Sequence, residues 1–326
     1  MPRQIDELYF NCIKIHEYLN ELITFIKNNH TIKHLSINNS NITNEDLKKL
    51  CEAIKENDTL ISLNFSTNYS INNITPICDL ILSNNNISAL YLNVLYDVDF
   101  KPLLECLKIN NTIKVFEMYD YNNLLNEFCE MMKINKSITN FAYKNSNKID
   151  TIKFKEVFEI NKNITSINLS GNKSDDWTLL TNALVDYKNI INLNFNECNI
   201  QDYTPFYKII KNNSTLKNIK INHHSDDKND IKMFIDALKT NKTIETIDIN
   251  GLVIENTLEY LKIVYNHPTL KEINIELDRK FHQIICNVLF SAKSNIANIG
   301  YQPCINYEQF YHSKDKNKRL SQFVYA

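Results

Sequence analysis

Apolar and polar residues alternate along short stretches of the chain, and one such stretch reads IINLNFNECNI from Ile190 to Ile200. Leu193 and Phe195 fall on one side of an extended backbone, while the asparagines between and around them fall on the other. Successive side chains of a strand point to opposite faces, so this pattern predicts a β-strand with one buried face.

The same kind of stretch recurs along the sequence at a nearly constant interval. The first apolar residue of each copy marks its position, and successive marks lie 25 to 28 residues apart. Such a period indicates one supersecondary unit stacked on itself. There are eleven copies, marked by Ile32, Leu60, Ile87, Ile113, Ile138, Ile164, Ile190, Leu216, Ile244, Leu270 and Ile296.

The second half of each copy has the spacing of an amphipathic helix. Between Asn44 and Asn57, the apolar residues Leu47, Leu50 and Ile54 recur every three or four positions, with charged residues between them. Strands that alternate many times with helices form a parallel sheet. The pattern therefore predicts an α/β fold of about eleven β-α repeats, with all the helices on one side of the sheet.

The joint between each helix and the next strand is the most regular part of the repeat. Thr, Ser or Asn stands directly before every mark, and Asn stands three residues before the mark in eight copies. The chain has only three glycines, the usual residue for closing a helix in the left-handed conformation. Because Asn adopts that conformation more readily than most residues, and its side chain can bond nearby backbone groups, we expect it to end these helices in that way. The eight are Asn29, Asn57, Asn84, Asn110, Asn135, Asn161, Asn213 and Asn241.

The stretch IINLNFNECNI resembles the leucine-rich-repeat pattern L-x-x-L-x-L-x-x-N/C-x-L, with Cys198 in the N/C position. The repeat length and the helical second halves are similar to the ribonuclease-inhibitor-like subclass, and the likeness covers about residues 29–301. It implies a leucine-rich-repeat solenoid, or horseshoe, with a parallel concave sheet and convex helices. In copies three to five the N/C position holds Leu95, Tyr121 and Ser146, so we expect local irregularity there.

The two ends of the chain lack the repeat. Residues 1–28 carry apolar residues at roughly helical spacing and no strand pattern, which predicts an N-terminal helical cap, with a separate docking helix as the alternative. Residues 29–304 are the predicted solenoid. Residues 305–326 combine aromatic residues with the basic run KDKNKR, and we interpret them as a C-terminal cap or tail, with a partner-binding peptide as the alternative.

Charge and composition argue against several classes of function. A net charge of −2 and a pI near 6.5 give no electrostatic case for nucleic acid. No apolar run reaches membrane-spanning length, and the start of the chain does not resemble a signal peptide. Cys51, Cys78 and Cys129 share one helix register, which indicates core residues in a reducing compartment rather than disulfides. We expect a monomer in the cytoplasm, or in a host's cytoplasm if the protein is an effector.

Sequence motifs for catalysis, cofactors and metals are missing. The chain contains no P-loop, no G-x-S-x-G, no C-x-x-C and no H-E-x-x-H. The pair His223 and His224 has no second group of ligands beside it, and Asp175 with Asp176 precedes a helical run in the manner of capping residues. We therefore expect no catalytic residue, no cofactor and no metal.

The polar face of the strands is the candidate binding surface. Its two central columns hold mostly Asn and Ser, but copies three to five differ. There Tyr91, Glu117, Tyr119 and Lys144 replace small polar residues, with Tyr121 in the following loop. Rigidly held tyrosines are common in binding hot spots, so we predict a partner-binding patch at these five positions. Simple packing of the aromatic residues against each other is the alternative.

A second patch on the same face is acidic. Copies nine and ten are predicted to bring together Glu245, Asp248, Glu272 and Glu276, a charge suited to a basic partner. A solvated charged strip is the alternative.

These observations predict a non-enzymatic scaffold that binds a protein partner on the concave face, and the resemblance implies such roles across the family. The alternative is a regulator of an enzyme, either an inhibitor blocking an active site or a GTPase regulator. One form of this regulator alternative is a host-directed effector of an intracellular pathogen. A true enzyme is the third hypothesis. GTPase assistance usually needs a protruding arginine, and none of Arg3, Arg279 and Arg319 lies on the predicted face.

Overall fold

The computed structural model describes residues 5–93, 98–120, 122–144, 148–222, 228–254, 263, 266–277 and 298–300. For residues 228, 250–254, 274–277 and 298–300 it describes the backbone only. The chain divides into two compact units, Met1–Gln201 and Asp202–Ala326.

Each unit contains a parallel sheet whose strands follow one another in chain order. The first unit has β1 (Glu7–Asn11), β2 (His34–Asn38), β3 (Ser62–Asn64), β4 (Ala89–Leu92), β5 (Val115–Tyr119), β6 (Asn140–Lys144), β7 (Ser166–Asn168) and β8 (Asn192–Phe195). The second unit has β9 (Asn218–Asn222), β10 (Thr246–Ile254), β11 (Glu272–Leu277) and β12 (Asn298–Gly300). The pairing of β10 with β11 becomes irregular between Ile249 and Ile254.

Helices connect most of these strands. The first unit has α1 (Leu19–Asn28), α2 (Asn44–Lys55), α3 (Thr75–Ser83), α4 (Lys101–Ile109), α5 (Leu125–Ile134), α6 (Thr151–Ile160) and α7 (Thr178–Val185). The second unit has α8 (Thr204–Asn212) and α9 (Lys228–Thr240). All eleven marked positions lie two residues before a strand, from Ile32 before β2 to Ile296 before β12. The predicted alternation of parallel strands and helices is confirmed.

The core of the first unit lies between the sheet and the helices. In β5, Phe116 and Met118 are fully buried, while Val115, Glu117 and Tyr119 are partly exposed. The ring of Phe128 in α5 lies 6.5 Å from that of Phe116 and 5.5 Å from that of Phe141 in β6, measured between centroids. Helix α5 therefore packs on the buried residues of two successive strands, β5 and β6, as the alternating pattern requires.

The cysteines at the shared helix register are core residues. Cys51, Cys78 and Cys129 are buried free thiols in α2, α3 and α5. Burial raises the pKa of each thiol to about 12, because the apolar surroundings disfavour the thiolate. This agrees with the interpretation of these residues as small core side chains.

The asparagines at the helix ends do not adopt the predicted left-handed conformation. Asn135 ends α5 with φ −66° and ψ 126°, and the asparagines that end α1, α3, α4, α6 and α8 are extended as well. That prediction was wrong. The amide oxygen of Asn135 accepts from the N–H groups of Ser137 and Ile138, both at 2.8 Å. An extended backbone thus lets the side chain itself close the turn.

The amide nitrogen of the same side chain reaches back to the preceding repeat. Asn135 Nδ2 donates to the carbonyl oxygens of Leu107 and Asn110, at 2.6 and 2.9 Å. We call this set of side chains the asparagine row, and its members donate in the same way to the repeat before. They include Asn57, Asn84, Asn110, Asn135 and Asn161 in the first unit and Asn241 in the second, all at most 8% exposed.

Tyr187 stands at the position of the row where the seventh copy lacks an asparagine. Its hydroxyl donates to the carbonyl oxygen of Asn161 at 2.9 Å and accepts from the N–H of Ile164 at 3.1 Å. A hydroxyl both donates and accepts, so it can replace an amide at this joint.

The N-terminal segment differs from the sequence prediction. The spacing of apolar residues from Ile5 to Asn28 predicted one helix, but Glu7–Asn11 forms strand β1, which pairs in parallel with β2. A 3₁₀ turn at Ile15–Tyr18 and helix α1 follow it. The segment therefore carries the strand and helix of one further repeat, because β2 has an edge that a strand can satisfy. Its role as a cap and the boundaries at residues 28 and 304 stay predictions.

A candidate protein-binding face on strands β4 to β6

The open face of the sheet is the face turned away from the helices. On it the strand pairing places Tyr91 of β4 beside Glu117 of β5, and Glu117 beside Ala142 of β6. Two residues further along, Tyr119 lies beside Lys144. The predicted columns of residues are therefore confirmed here. We call the following five side chains the tyrosine patch: Tyr91, Asn93, Glu117, Tyr119 and Lys144.

In the patch, β5 and β6 run further past their middle position than β3, β7 and β8 do, and the cause is local. In β3, β7 and β8 the middle position is Asn64, Asn168 or Asn194, whose Oδ1 accepts from the N–H two residues on, at 3.0 Å each. β3 and β7 end at that asparagine, and β8 ends one residue later. Glu117 and Ala142 form no such bond within the described structure, and β5 and β6 continue two residues past them.

An ion pair crosses the centre of the patch. Lys144 Nζ lies 3.4 Å from Glu117 Oε2 and 5.6 Å from the centroid of the Tyr119 ring. The side chains of Lys144 and Glu117 are only 16% and 24% exposed, so solvent screens this pair less than a fully exposed one. Asn93 Nδ2 donates to the same carboxylate oxygen at 3.3 Å. These contacts hold the charged groups in one arrangement between the two tyrosines.

Tyr91 lies half-buried on the other side of Glu117. Burial raises the pKa of its hydroxyl, and the negative charge of Glu117 raises it further. The phenol is therefore neutral at physiological pH and can donate a hydrogen bond. Asn93 Oδ1 is buried and accepts no hydrogen bond from the described residues. The patch thus combines aromatic surface, a held carboxylate and an amide acceptor, which suits recognition of another molecule.

The predicted acidic patch contains as many lysines as acids among its described side chains. Glu245 lies between Lys217 and Lys271, at 2.8 and 2.5 Å, and these lysines lower the pKa of its carboxyl to about 2. Asp248 lies 3.7 Å from Lys220. Opposite charges so close together weaken the field that would steer a basic partner.

The other predicted positions of the acidic patch give little further support. Glu272 is exposed, and the side chain of Glu276 lies outside the described residues. A role of Asp248, Glu272 and Glu276 in binding stays a prediction.

Several other predicted residues also lie outside the part of the chain that the structure describes. They are Tyr121, Leu95, Ser146, His223, His224, Arg3, Arg279 and Arg319. Among the described residues, no group of three or more His, Cys, Asp or Glu side chains is placed to hold a metal ion. In the same residues, no helix has the length and apolar character needed to span a membrane.

Sequence reasoning missed two contributors to the patch. Asn93 was counted as one more plain asparagine of the face, and nothing in its sequence context marks its bond to Glu117. Ala142 is fully buried although it belongs to the open face. A methyl group at that position leaves room for Lys144 to reach diagonally to Glu117, and the replacement of Asn by Ala in the middle column was the available signal.

No protein-family model matches the chain, and no curated protein matches its sequence. A chain from the crystal structure of the yeast Rad7 and Elc1 complex is similar in fold, with 11% identity and a TM-score of 0.52. The match covers 80% of this chain and 75% of that one. A chain from the crystal structure of the TLR13–ssRNA13 complex has 13% identity and a TM-score of 0.45, covering 83% of this chain and 39% of that one.

The parallel strands, the helical second halves and the period of 25 to 28 residues define the class of protein. The chain is an α/β leucine-rich-repeat solenoid, as the resemblance of its repeats implied. Its assignment to the ribonuclease-inhibitor-like subclass rests on repeat length and helix content and stays a prediction.

Proposed function

We propose that this protein is a non-enzymatic scaffold that binds a protein partner on the open face of β4, β5 and β6. The observation that supports the proposal is the tyrosine patch. Tyr91 and Tyr119 are half-buried on rigid strands around the Glu117–Lys144 ion pair. Such tyrosines offer large contact area at a low cost in conformational entropy, and binding energy concentrates at such anchors.

The net charge of the chain favours a protein over a nucleic acid as the partner. At −2 the chain lacks the positive surface that phosphate backbones require. The tyrosine patch ranks above the acidic patch because Glu245 and Asp248 of the latter are paired with lysines. We extend the proposal to a monomer in the cytoplasm, since the buried free thiols of Cys51 and Cys129 are compatible with a reducing compartment.

The test compares a double tyrosine variant with a single tyrosine control. The double variant Tyr91→Ala with Tyr119→Ala removes the proposed anchors. The control Tyr9→Ala removes a 64% exposed tyrosine from the same column of the sheet, on β1. Proteins captured from lysate of the expressing cells by the wild type and by Tyr9→Ala should be lost from the double variant.

The size of the effect follows from the cost of truncating an anchor. Each anchor tyrosine typically contributes more than 1 kcal/mol of binding, so the double variant should bind at least about 30-fold more weakly. Circular dichroism would verify that all variants are folded. Capture of the same proteins by all three chains with equal affinity would overturn the proposal.

A further inference from the structure

We infer that the anchor which the partner places in the tyrosine patch is an arginine side chain, held by the ring of Tyr91, the carboxylate of Glu117 and the amide oxygen of Asn93. The inference rests on the proposed function and names the partner chemistry of the same site. It concerns the side of Glu117 that faces away from Lys144.

The protein itself shows how this surface holds a cation. The ammonium of Lys144 lies over the face of Tyr119, 5.6 Å from the centroid, and within 3.4 Å of Glu117 Oε2. An aromatic face is negative at its centre, and a neighbouring carboxylate adds to the attraction for a cation. Glu117 and Tyr119, two residues apart on β5, thus already bind one cation together.

The same combination exists on the opposite side of Glu117. Tyr91 lies beside Glu117 on the neighbouring strand β4, whereas Tyr119 lies two residues from Glu117 on β5 itself. Lysine ammonium groups lie over the rings of Tyr119 and Tyr187. The half-buried ring of Tyr91 is therefore an aromatic surface next to a carboxylate that no described cation covers.

Two acceptor atoms remain at this position. Glu117 Oε2 accepts from both Asn93 and Lys144, whereas Oε1 accepts from no described residue. Asn93 Nδ2 donates a hydrogen bond to Glu117, and Asn93 Oδ1 is buried without a hydrogen-bond partner among the described residues. The equivalent Oδ1 atoms of Asn38, Asn196 and Asn222 in other repeats are also buried without a described partner, so the selectivity of this position rests on Tyr91 and Glu117.

Guanidinium fits this set of groups better than the other side chains. It is planar, carries five N–H donors in a fixed fork and stacks on aromatic rings, whereas an ammonium is a compact point charge. A carboxylate of the partner would be repelled by Glu117 and would meet an Asn93 oxygen that cannot donate. Lys144 shares Glu117 with the incoming cation, so it should compete with arginine rather than help it.

The experiment uses small peptides of defined composition and the full chain labelled with ¹³C at the tyrosine rings. The probes are acetyl-Gly-Arg-Gly-amide, its citrulline version, its lysine version and its glutamate version. Ring resonances of Tyr91 and Tyr119 are assigned with the Tyr91→Phe and Tyr119→Phe variants. The arginine peptide should shift the Tyr91 resonance saturably. Citrulline has the same shape without the charge and should bind about tenfold more weakly, as expected for losing hydrogen bonds to a charged group.

Substitutions at the ion pair give the sharper test. Glu117→Gln keeps the shape and should weaken arginine binding about tenfold. Lys144→Gln removes the competitor and should strengthen it, while Lys48→Gln on the exposed face of α2 should leave it unchanged. Weaker arginine binding in Lys144→Gln, equal binding of arginine and citrulline, or preferential binding of the glutamate peptide would each overturn the inference.

These outcomes are distinguishable from failure of the proposed function. If the arginine peptide shows no preference but the Tyr91/Tyr119 double variant still loses its protein partner, the scaffold proposal stands and the arginine anchor is wrong. If the double variant keeps every partner, the scaffold proposal fails whatever the peptides do.

Discussion

His267 Nδ1 accepts a hydrogen bond from the backbone N–H of Leu270 at 3.1 Å, at the position where other repeats have an asparagine. In the preceding repeat, Asn241 Oδ1 accepts from Ile244 in the same way, at 2.7 Å. The Nε2 atom of the buried His267 ring has no hydrogen-bond partner among the described residues. The acceptor nitrogen of a neutral imidazole thus takes the place of the amide oxygen of the asparagine row.

This substitution makes one joint of the second unit sensitive to pH. Burial lowers the pKa of His267, and the nearby charge of Lys242 lowers it further. In the unfolded chain a histidine has a pKa of about 6.5. Below that pH the unfolded state binds a proton at His267 more readily than the folded state does, which favours unfolding. The stabilisation is therefore complete above about pH 6.5 and is lost as the pH falls below it. Hydrogen exchange should show protection factors of the Leu270 and Thr269 amides declining from pH 7.5 to 5.

Asparagine at the same position should remove that dependence. His267→Asn recreates the side chain of Asn241, and the amide does not titrate, so protection should stay constant across the same pH range. His16→Asn, at an exposed histidine of the first unit, serves as the control and should behave as the wild type. Identical pH profiles for the wild type and His267→Asn would show that the ring is not the sensor.

Removal of one member of the asparagine row should destabilise the first unit strongly. Asn135→Ala deletes two donated and three accepted hydrogen bonds at a side chain that is 2% exposed. It leaves buried backbone groups without partners, so the free energy of unfolding should fall by about 3 kcal/mol. Urea denaturation measures this loss. Asn111→Ala, at an exposed asparagine of the preceding turn, should cost less than about 0.5 kcal/mol. Equal losses in the two variants would contradict a structural role for the row.

The cysteines should differ sharply in reactivity. Cys12 is exposed, whereas Cys51 and Cys129 are buried with pKa values raised to about 12. Alkylation of a buried thiol requires local opening that costs a few kcal/mol, so Cys51 and Cys129 should react at least about a hundredfold more slowly than Cys12. Peptide mass mapping after iodoacetamide treatment at pH 8 measures the rates, and Cys12→Ser identifies the fast site. Comparable rates at Cys12 and Cys51 in the native protein would show that α2 is not packed as described.

The columns of the open face were predictable because a strand has a period of two and the repeat has a nearly constant length. The pairing of Tyr91 with Glu117 and of Tyr119 with Lys144 follows from counting forward from the marks Ile87, Ile113 and Ile138. No knowledge of tertiary contacts is needed for this step. A slip of one residue would turn every apolar side chain of a strand outward, so the register is strongly determined.

The left-handed backbone conformation expected of the row asparagines was wrong because local propensity was the only guide. Asn at a helix end suggests a left-handed residue when the chain is considered alone. In the fold, carbonyl groups of the preceding repeat lie within 2.6 to 2.9 Å of Asn135 Nδ2. These partners are more than twenty residues away in sequence, and bonds to them favour an extended backbone. The strand at Glu7–Asn11 was missed for a similar reason, since only the edge of β2 makes it a strand.

The sequence alone determined the repeat, the direction of the strands and which residues share the open face, because these depend on spacing along the chain. Only the tertiary structure decided which charges meet across strands. Lys144 reaches Glu117 because Ala142 leaves space, and Glu245 is neutralised because Lys217 and Lys271 lie on either side of it. Side-chain direction between neighbouring repeats depends on the packing around it, and a one-dimensional pattern does not contain that information.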